Sequence, residues 1–165
     1  MSLDRDWFID LWHDHCTQVY DFAARRVGEA AADDVVEETF LVAWRRRHEL
    51  PDLDLAWLYS IASNTIRNQN RSLTRRGRLV GRLMEQPQGQ HVDVEGAAVF
   101  RLDLVRALDQ LDDEDLEVLA LRFWEGLDAR DAARVVGCTP AAYTTRLYRA
   151  RRRLRRSLDV KERSA

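Results

Sequence analysis

Apolar side chains recur every three or four residues along almost the whole chain, which is the spacing of one face of an α-helix. Phe8, Trp12 and Cys16 show this spacing near the start, and Leu147 and Leu154 show it near the end. No segment alternates apolar and polar residues in the way that a half-buried strand requires. The 165 residues include only three prolines and seven glycines, which argues against a loop-rich β architecture. We therefore predict an all-α protein.

Composition excludes several classes of protein. Hydrophobic residues make up 45% of the chain, which is enough for a core and too much for a disordered protein. No apolar run approaches the roughly 20 residues needed to cross a bilayer. The first residues, MSLDRDWF, lack the basic start and apolar stretch of a signal peptide. Cys16 and Cys138 are too few for a disulfide scaffold. We expect a cytoplasmic protein with no membrane insertion.

Charge is distributed in four alternating blocks. The net charge is −7 in residues 1–60, +5 in 61–86, −8 in 87–131 and +8 in 132–165. This alternation indicates two modules, each with an acidic first half and a basic second half. Of the 26 basic residues 25 are arginine, whose planar guanidinium suits phosphates and guanine edges. Coding bias is an equally good explanation for arginine over lysine, but it does not explain the clustering.

The helical pattern is interrupted once, near the middle of the chain. N-terminal helices are predicted over residues 5–28, 33–48 and 55–75. The stretch around Pro87 is rich in glycine and glutamine and is typical of a flexible linker. Helical spacing then resumes near Ala97 and continues to about Leu158. We predict two small helical modules, residues 1–76 and 98–165, joined by a flexible linker over 77–97.

The C-terminal module contains a helix-turn-helix pattern. Asp128 and Thr139 can each cap a helix, Gly137 can form the tight turn, and Pro140 fits a first helical position. The small side chain of Ala133 allows the two helices to cross closely. The outward face of the second helix then presents Thr144, Thr145, Arg146, Tyr148, Arg149, Arg152 and Arg153. Hydroxyl and guanidinium groups on such a helix suit base edges and phosphates in a major groove. An ordinary helical hairpin with a solvated basic tail is the alternative.

The predicted third helix has one aliphatic face and one face of a different kind. On a helical wheel the second face carries Trp57, Asn64, Arg67, Asn68, Arg71 and Arg75. Aromatic and basic groups interleaved in this way suit unstacked bases, because the ring can stack on a base while arginine neutralises phosphate. Asparagine offers both a donor and an acceptor to a base edge. Taken alone, Trp57 is also typical of a core aromatic.

Acidic residues gather near the start of the predicted second helix. Asp34, Glu37 and Glu38 lie close together there and would repel DNA. We therefore expect this patch to bind a protein partner that carries basic residues. A solvated acidic helix start is the alternative.

Residues 12–16, WHDHC, hold the only concentration of metal-ligand residue types. In a helix His13 and Cys16 share a face but His15 points away from it, and no second ligand cluster is evident. We therefore expect no catalytic residue, no metal and no cofactor. A metal-dependent hydrolase centred on His13 and His15 is a minor alternative.

Three segments resemble the sigma-70 family of RNA polymerase sigma factors. They are residues 33–46 (DDVVEETFLVAWRR), 56–68 (AWLYSIASNTIRN) and 108–154 (LDQLDDEDLEVL to RARRRL). The short chain, with two helical modules and a bare linker, is similar to the extracytoplasmic-function (group IV) type. This resemblance implies that residues 1–76 correspond to sigma region 2 and residues 98–165 to sigma region 4.

The resemblance also implies roles for particular residues. Binding to core RNA polymerase would involve Asp34, Glu37, Glu38, Phe40 and Trp44. Contacts to the single-stranded −10 promoter element would come from Trp57, Asn64, Arg67, Asn68, Arg71 and Arg75, with Asn64 in a pocket for a flipped base. Contacts to the duplex −35 element would come from Thr144, Thr145, Arg146, Tyr148, Arg149 and Arg153. An anti-sigma factor is a further implied partner.

Two stretches depart from the family pattern. Residues 141–144 (AAYT) replace the usual Gly-Thr-Val and basic residue at the start of the recognition helix. Residues 49–55 (ELPDLDL) place three acidic groups where the −10 loop is ordinarily glycine-rich.

The alternative function is a stand-alone helix-turn-helix transcriptional regulator with an N-terminal sensor or dimerisation domain. The nucleic-acid face predicted on the third helix argues against that alternative, since a sensor does not need one.

Overall fold

The computed structural model describes residues 2–49, 54–69 and 94–162, and all regular secondary structure within these ranges is α-helical. The N-terminal module consists of α1 (Ser2–Val27), α2 (Glu29–Arg45) and α3 (Leu55–Asn68). The C-terminal module consists of α4 (Val94–Asp109), α5 (Asp113–Phe123), α6 (Ala129–Val136) and α7 (Pro140–Glu162). The prediction of an all-α protein is confirmed.

Helices α1, α2 and α3 pack against one another around an apolar centre. Phe22 of α1 stacks on Tyr59 of α3, with ring centroids 4.4 Å apart. At the other end of the module, Phe8 of α1 meets Phe40 of α2 edge to face at 6.2 Å. Offset and edge-to-face pairs of this kind add roughly 0.5–1.5 kcal/mol beyond the area that they bury.

Several helix boundaries differ from the sequence prediction. Helix α2 begins at Glu29 instead of residue 33, because Gly28 alone, with a φ of 82°, separates it from α1. Helix α4 begins at Val94, so residues 94–97, predicted as part of the linker, are helical. Helix α3 is described as far as Asn68. Its predicted continuation to residue 75, and most of the predicted linker, lie outside the described residues.

The C-terminal module has its own apolar cluster between α4, α5 and α7. It is formed by Leu108, Leu111, Leu116, Leu119, Ala120 and Ala150. Helix α5 starts behind Asp112, whose carboxylate accepts a hydrogen bond from the backbone N–H of Asp115 at 2.8 Å. A buried hydrogen bond fixes α7 to α5, since the Tyr143 hydroxyl donates to the Val118 carbonyl at 2.8 Å.

The two modules are packed against each other. Helix α3 lies along α6, where Ala132, Ala133 and Val135 are almost completely buried. These three residues belong to the same apolar cluster as Phe22 and Ile66 of the N-terminal module. One of the two apolar clusters therefore extends across both modules, although the sequence predicts only that a linker connects them.

No helix in the described ranges is both long enough and apolar enough to cross a bilayer.

We expect Tyr143→Phe to lower the free energy of unfolding by about 1 kcal/mol at pH 8, because one buried hydrogen bond is lost. Burial raises the pKa of Tyr143 to about 12. An unfolded tyrosine ionises near pH 10, so the unfolded state releases this proton first as the pH rises. The hydroxyl therefore contributes its full stabilisation below pH 10 and loses it between about pH 10 and 12.

Urea denaturation at pH 8 and pH 11 measures this effect. The difference in the free energy of unfolding between wild type and Tyr143→Phe should be smaller at pH 11 than at pH 8. Tyr148→Phe is the matched control, because Tyr148 lies on the same helix and is 64% exposed. Equal stability of the two variants at pH 8 would contradict the assigned role of the Tyr143 hydroxyl.

Candidate nucleic-acid and polymerase interfaces

Helices α6 and α7 form a helix-turn-helix. The Asp128 carboxylate caps α6 by accepting from the backbone N–H three residues later at 2.8 Å. Gly137 ends α6 with a φ of 81°, a left-handed conformation that favours glycine. The Thr139 hydroxyl oxygen then accepts from the backbone N–H three residues later at 3.1 Å, and Pro140 is the first residue of α7. The predicted caps, turn and helix start are confirmed.

All six residues predicted to contact the −35 element are exposed on α7. They are Thr144, Thr145, Arg146, Tyr148, Arg149 and Arg153. The hydroxyls of Thr144 and Thr145 donate to the carbonyls of Pro140 and Ala141, at 2.9 and 3.1 Å. Their oxygen lone pairs and methyl groups are therefore what these threonines can offer to a base edge, while Arg149 can reach phosphate or guanine.

Arg153 differs from the other five predicted −35 residues. Its guanidinium donates a hydrogen bond to the carboxylate of Asp115 and lies 3.6 Å from that of Asp112. The hydrogen bond with Asp115 raises the pKa of Arg153. Arg153 thus connects α7 to the start of α5 within its own module.

Helix α3 carries the predicted −10 face. Asp54 caps the helix by accepting from the Trp57 backbone N–H at 2.9 Å. Asn64 and Asn68 are one helical turn apart and both are exposed. Arg67 lies beside them, and its Nη2 donates to the Ser63 hydroxyl at 3.3 Å. The face therefore brings two free amide groups and a guanidinium together, as predicted.

Three of the six residues predicted for this face differ from Asn64, Arg67 and Asn68. Trp57 is half-buried and packs against the core, and the guanidinium of Arg46 lies 5.7 Å from its ring centroid. Its ring is therefore only partly available for stacking on a base. Arg71 and Arg75 lie outside the described residues, so their place on the face stays a prediction.

The acidic residues of α2 form an exposed patch. Asp34, Glu37 and Glu38 are all exposed, while the intervening Val35 and Val36 are buried. Leu41, on the next turn, is 41% exposed. The helix thus presents carboxylates beside one exposed aliphatic side chain, an arrangement that suits a basic protein surface.

Phe40 and Trp44 do not lie with the acidic residues on that surface. Phe40 is only 1% exposed and its ring contacts Phe8 and Trp12. Trp44 is half-buried, with its ring 5.4 Å from Phe8 and the guanidinium of Arg47 above it at 4.2 Å. Phe40 therefore supports the patch from the core, since a partner cannot reach it without repacking.

The segment rich in histidine and cysteine lies on α1. His13 is exposed, whereas His15 and Cys16 are partly buried. Burial and the nearby carboxylate of Asp33 raise the pKa of the Cys16 thiol, which keeps it protonated. In the part of the chain that the structure describes, no three histidine, cysteine or acidic side chains come together as metal ligands.

The contacts between the modules include a buried ionic cluster that the sequence does not predict. Arg26 is completely buried, and its guanidinium donates to Glu117 at 3.2 Å and to Glu125 at 2.9 Å. Arg25 donates to the other Glu125 oxygen at 2.6 Å. The one available sign in the sequence is a pair of arginines inside the otherwise apolar stretch 22–27, since buried charges need partners.

Comparisons with known proteins agree with this division into two modules. The family described as Sigma-70 region 2 matches residues 11–76, and Sigma-70, region 4 matches residues 101–154. ECF RNA polymerase sigma factor SigL of Mycobacterium tuberculosis is 32% identical over 155 residues, covering 90% of this chain and 87% of SigL. The chain belongs to the ECF RNA polymerase sigma factor family.

Solved structures of ECF sigma factors match nearly the whole chain. The structure of CnrH in complex with the cytosolic domain of CnrY has a TM-score of 0.64 and 26% identity, and covers 94% of this chain and 90% of CnrH. The sigma factor RpoE from Bartonella quintana, in complex with the anti-sigma factor NepR, has a TM-score of 0.61 and 25% identity, covering 93% of this chain and 97% of RpoE.

This chain is an RNA polymerase sigma factor, and the alternative of a stand-alone regulator is not favoured. Its N-terminal module matches sigma region 2, which leaves the predicted sensor or dimerisation domain without support. Its C-terminal helix-turn-helix lies within the region 4 match. Sigma factors of this family are generally not enzymes.

Replacing Phe40 tests whether this residue only supports the core of the ECF sigma factor or also contacts polymerase. We expect Phe40→Ala to lower the free energy of unfolding by about 3 kcal/mol, because it leaves a cavity in the core. Leu41→Ala is the neighbouring control. Because Leu41 is 41% exposed, its replacement should lower the free energy of unfolding only slightly. Urea denaturation followed by circular dichroism measures both. Unchanged stability of Phe40→Ala together with lost polymerase binding would show a direct contact instead.

Proposed function

We propose that this ECF sigma factor directs core RNA polymerase to promoters and aids strand opening, with a separate DNA element read by each module. In this proposal residues 1–76 act as region 2 on the −10 element and residues 98–165 act as region 4 on the −35 element. Residues 77–97 connect the two. The observation that carries the proposal is an exposed amide and guanidinium face on α3 in the same chain as a basic helix-turn-helix.

At the −10 element, α3 captures a base of one strand after it leaves the stack. The amides of Asn64 and Asn68 can satisfy a base edge, and Arg67 beside them can neutralise phosphate. Unstacking one base costs a few kcal/mol, and a pocket that holds the free base offsets this cost. The module therefore favours the open duplex without any covalent chemistry.

At the −35 element, α7 enters the major groove of duplex DNA. Arg149 and Tyr148 protrude from the same exposed side as the two threonines. A bidentate arginine contact to guanine contributes about 1–3 kcal/mol of discrimination between bases. Thr144 stands where the family often has a basic residue, so this sigma factor is expected to read a −35 sequence of its own.

Core polymerase is the proposed partner of the acidic patch. Asp34, Glu37 and Glu38 oppose direct binding of this face to DNA, and they favour a partner with a basic surface. Affinity of the free chain for promoter DNA is expected to be poor. Held by polymerase at the right separation, two weak sites gain the avidity that neither has alone.

The remaining parts of the proposal follow from the family. An anti-sigma factor is a proposed partner, since RpoE was solved in complex with the anti-sigma factor NepR and CnrH in complex with the cytosolic domain of CnrY. The chain carries no catalytic residue and needs no cofactor, because polymerase performs the chemistry. It acts in the cytoplasm, where core polymerase and the chromosome are.

Transcription of genomic fragments tests the proposal. The purified chain should co-elute with core polymerase and should produce new transcripts whose 5′ ends lie downstream of one shared pair of DNA motifs. Stable, sequence-specific binding of the lone chain to duplex DNA, with no new transcripts, would favour a stand-alone regulator.

Asn64→Ala separates DNA reading from polymerase binding. On a promoter found in this way, we expect open complexes to fall roughly tenfold, equivalent to about 1.4 kcal/mol. Core binding should be unchanged, because Asn64 is on α3 and the acidic patch is on α2. Permanganate reactivity of unpaired thymines measures opening, and co-elution measures binding.

Two further variants complete the comparison. Glu38→Lys should weaken core binding, because it reverses one charge of the acidic patch. Gln18→Ala removes an exposed amide on α1 and should change neither property. Equal loss of opening and core binding in Asn64→Ala would count against a −10 role for this face.

A further inference from the structure

The described part of the −10 face has an aromatic group, Trp57, at one end and a guanidinium, that of Arg67, near the other. Residues 55–66 (LAWLYSIASNTI) hold no arginine or lysine. Asn64 follows Trp57 by seven residues, which is about 10 Å along a helix. That length corresponds to about three nucleotide spacings of one strand, at roughly 3.4 Å each. A strand that extends from Asn64 toward Trp57 therefore meets no basic side chain of α3 on the way.

The end of α2 supplies a basic side chain at this place. The guanidinium of Arg46, the C-cap residue of α2, lies 5.7 Å from the ring centroid of Trp57, and the Arg46 side chain is 48% exposed. A cation beside an aromatic ring is a combination that single-stranded DNA favours, because bases stack on the ring while the cation neutralises phosphate. Arg46 therefore completes in space a pattern of aromatic and basic groups that this part of α3 lacks in sequence.

The next arginine along the chain, Arg47, is used differently. Its guanidinium donates to the Trp44 carbonyl at 2.9 Å and to the Asp4 carboxylate of α1 at 3.2 Å. Arg47 thus connects the end of α2 to α1, whereas Arg46 lies beside α3. The run of three arginines at residues 45–47 does not by itself distinguish these roles, but the contacts in the structure do.

Arg46 has a partner that a phosphate can replace. Its Nε donates to Glu49 Oε2 at 2.9 Å, and the Glu49 side chain is 62% exposed. An ion pair this exposed stabilises a protein only slightly, because water and salt screen it. A guanidinium carries five N–H donors and binds phosphate in a bidentate manner. A DNA phosphate at this position therefore competes well with the single contact from Glu49.

We propose that Arg46 binds a phosphate of the single-stranded −10 element, on the side of Trp57 where α3 has no cation. The DNA-binding surface of the N-terminal module then continues from α3 onto the end of α2. Glu49 competes with the phosphate for the Arg46 guanidinium and so weakens this contact. The inference rests on the proposed function, because it requires that this module holds one strand of the open duplex.

Helix α2 can serve a protein partner and DNA at once because its charges are separated along its length. The acidic patch ends at Glu38, eight residues before Arg46, which is about 12 Å along the helix. A cation at the C-terminal end of a helix is also favoured by the helix dipole. In this proposal the acidic first half of α2 contacts polymerase, and its basic end contacts the DNA strand.

Open-complex formation at several salt concentrations tests the proposal, with holoenzyme assembled from core polymerase and the full chain on a promoter that the wild type opens. Arg46→Ala removes the phosphate contact, and Glu49→Gln removes the competing carboxylate. Arg106→Ala is the matched control, because it removes the same charge from an exposed residue of α4, which carries none of the predicted DNA contacts. Permanganate reactivity measures opening, and co-elution measures core binding.

We expect Arg46→Ala to form fewer open complexes than the wild type and to lose them less steeply as salt is added. Removing one phosphate contact to a single strand lowers the slope of log K against log salt by about 0.7. The defect should therefore be roughly two- to threefold larger at 50 mM salt than at 200 mM. Glu49→Gln should increase opening, Arg106→Ala should leave it unchanged, and all three variants should bind core polymerase as the wild type does.

Two results would overturn the inference. One is a salt slope in Arg46→Ala equal to that of the wild type, since a residue that only positions Trp57 neutralises no phosphate. The other is reduced opening in Glu49→Gln, which would show that the pair of Arg46 and Glu49 acts as a structural contact.

A third variant and the wild type keep the result interpretable. If Arg46→Ala lowers the helical circular dichroism, Arg46→Gln takes its place, because it keeps a longer side chain beside Trp57 and still removes the charge. Absence of open complexes with wild-type holoenzyme would contradict the proposed function and this inference together. An unchanged salt slope in a variant of an active holoenzyme contradicts the inference alone.

Discussion

The position of the C-terminal module depends on one completely buried guanidinium. Burial alone would lower the pKa of Arg26, but Glu117 and Glu125 more than offset this, so its pKa is raised and it stays charged. Removing one partner of such a buried pair typically costs 3–5 kcal/mol, because an uncompensated charge is left behind. The same contact between the modules includes the packing of α3 on α6 and a cleft lined by Arg67 and Arg146.

Local structure is well predicted from the sequence where a few neighbouring residues decide it. The cap at Asp128, the turn at Gly137 and the start of α7 at Pro140 follow from short-range hydrogen bonds and backbone preferences. The exposed face of α7 follows from helical periodicity. Helix starts are less well predicted, since the single residue Gly28 suffices between α1 and α2 where the sequence predicts a longer break.

Long-range contacts are what the sequence does not predict. Arg26 and Glu117 are 91 residues apart, and nothing local marks them as partners. The burial of Phe40 also depends on rings from α1, so its helical position alone does not separate a core residue from a surface contact. The linker pattern predicts two modules but not their association, because that requires small residues and complementary charges on two distant helices.

A single distance reports most directly whether the two modules of this sigma factor move apart to read separate DNA elements. Donor and acceptor dyes at Gln18→Cys on α1 and Arg156→Cys on α7, in a chain with Cys16→Ser and Cys138→Ser, measure the separation of the modules by energy transfer. We expect efficient transfer in the free chain and a clear loss of transfer in the open complex with core polymerase and promoter. The same efficiency in both states would contradict the proposal that each module reads its own DNA element.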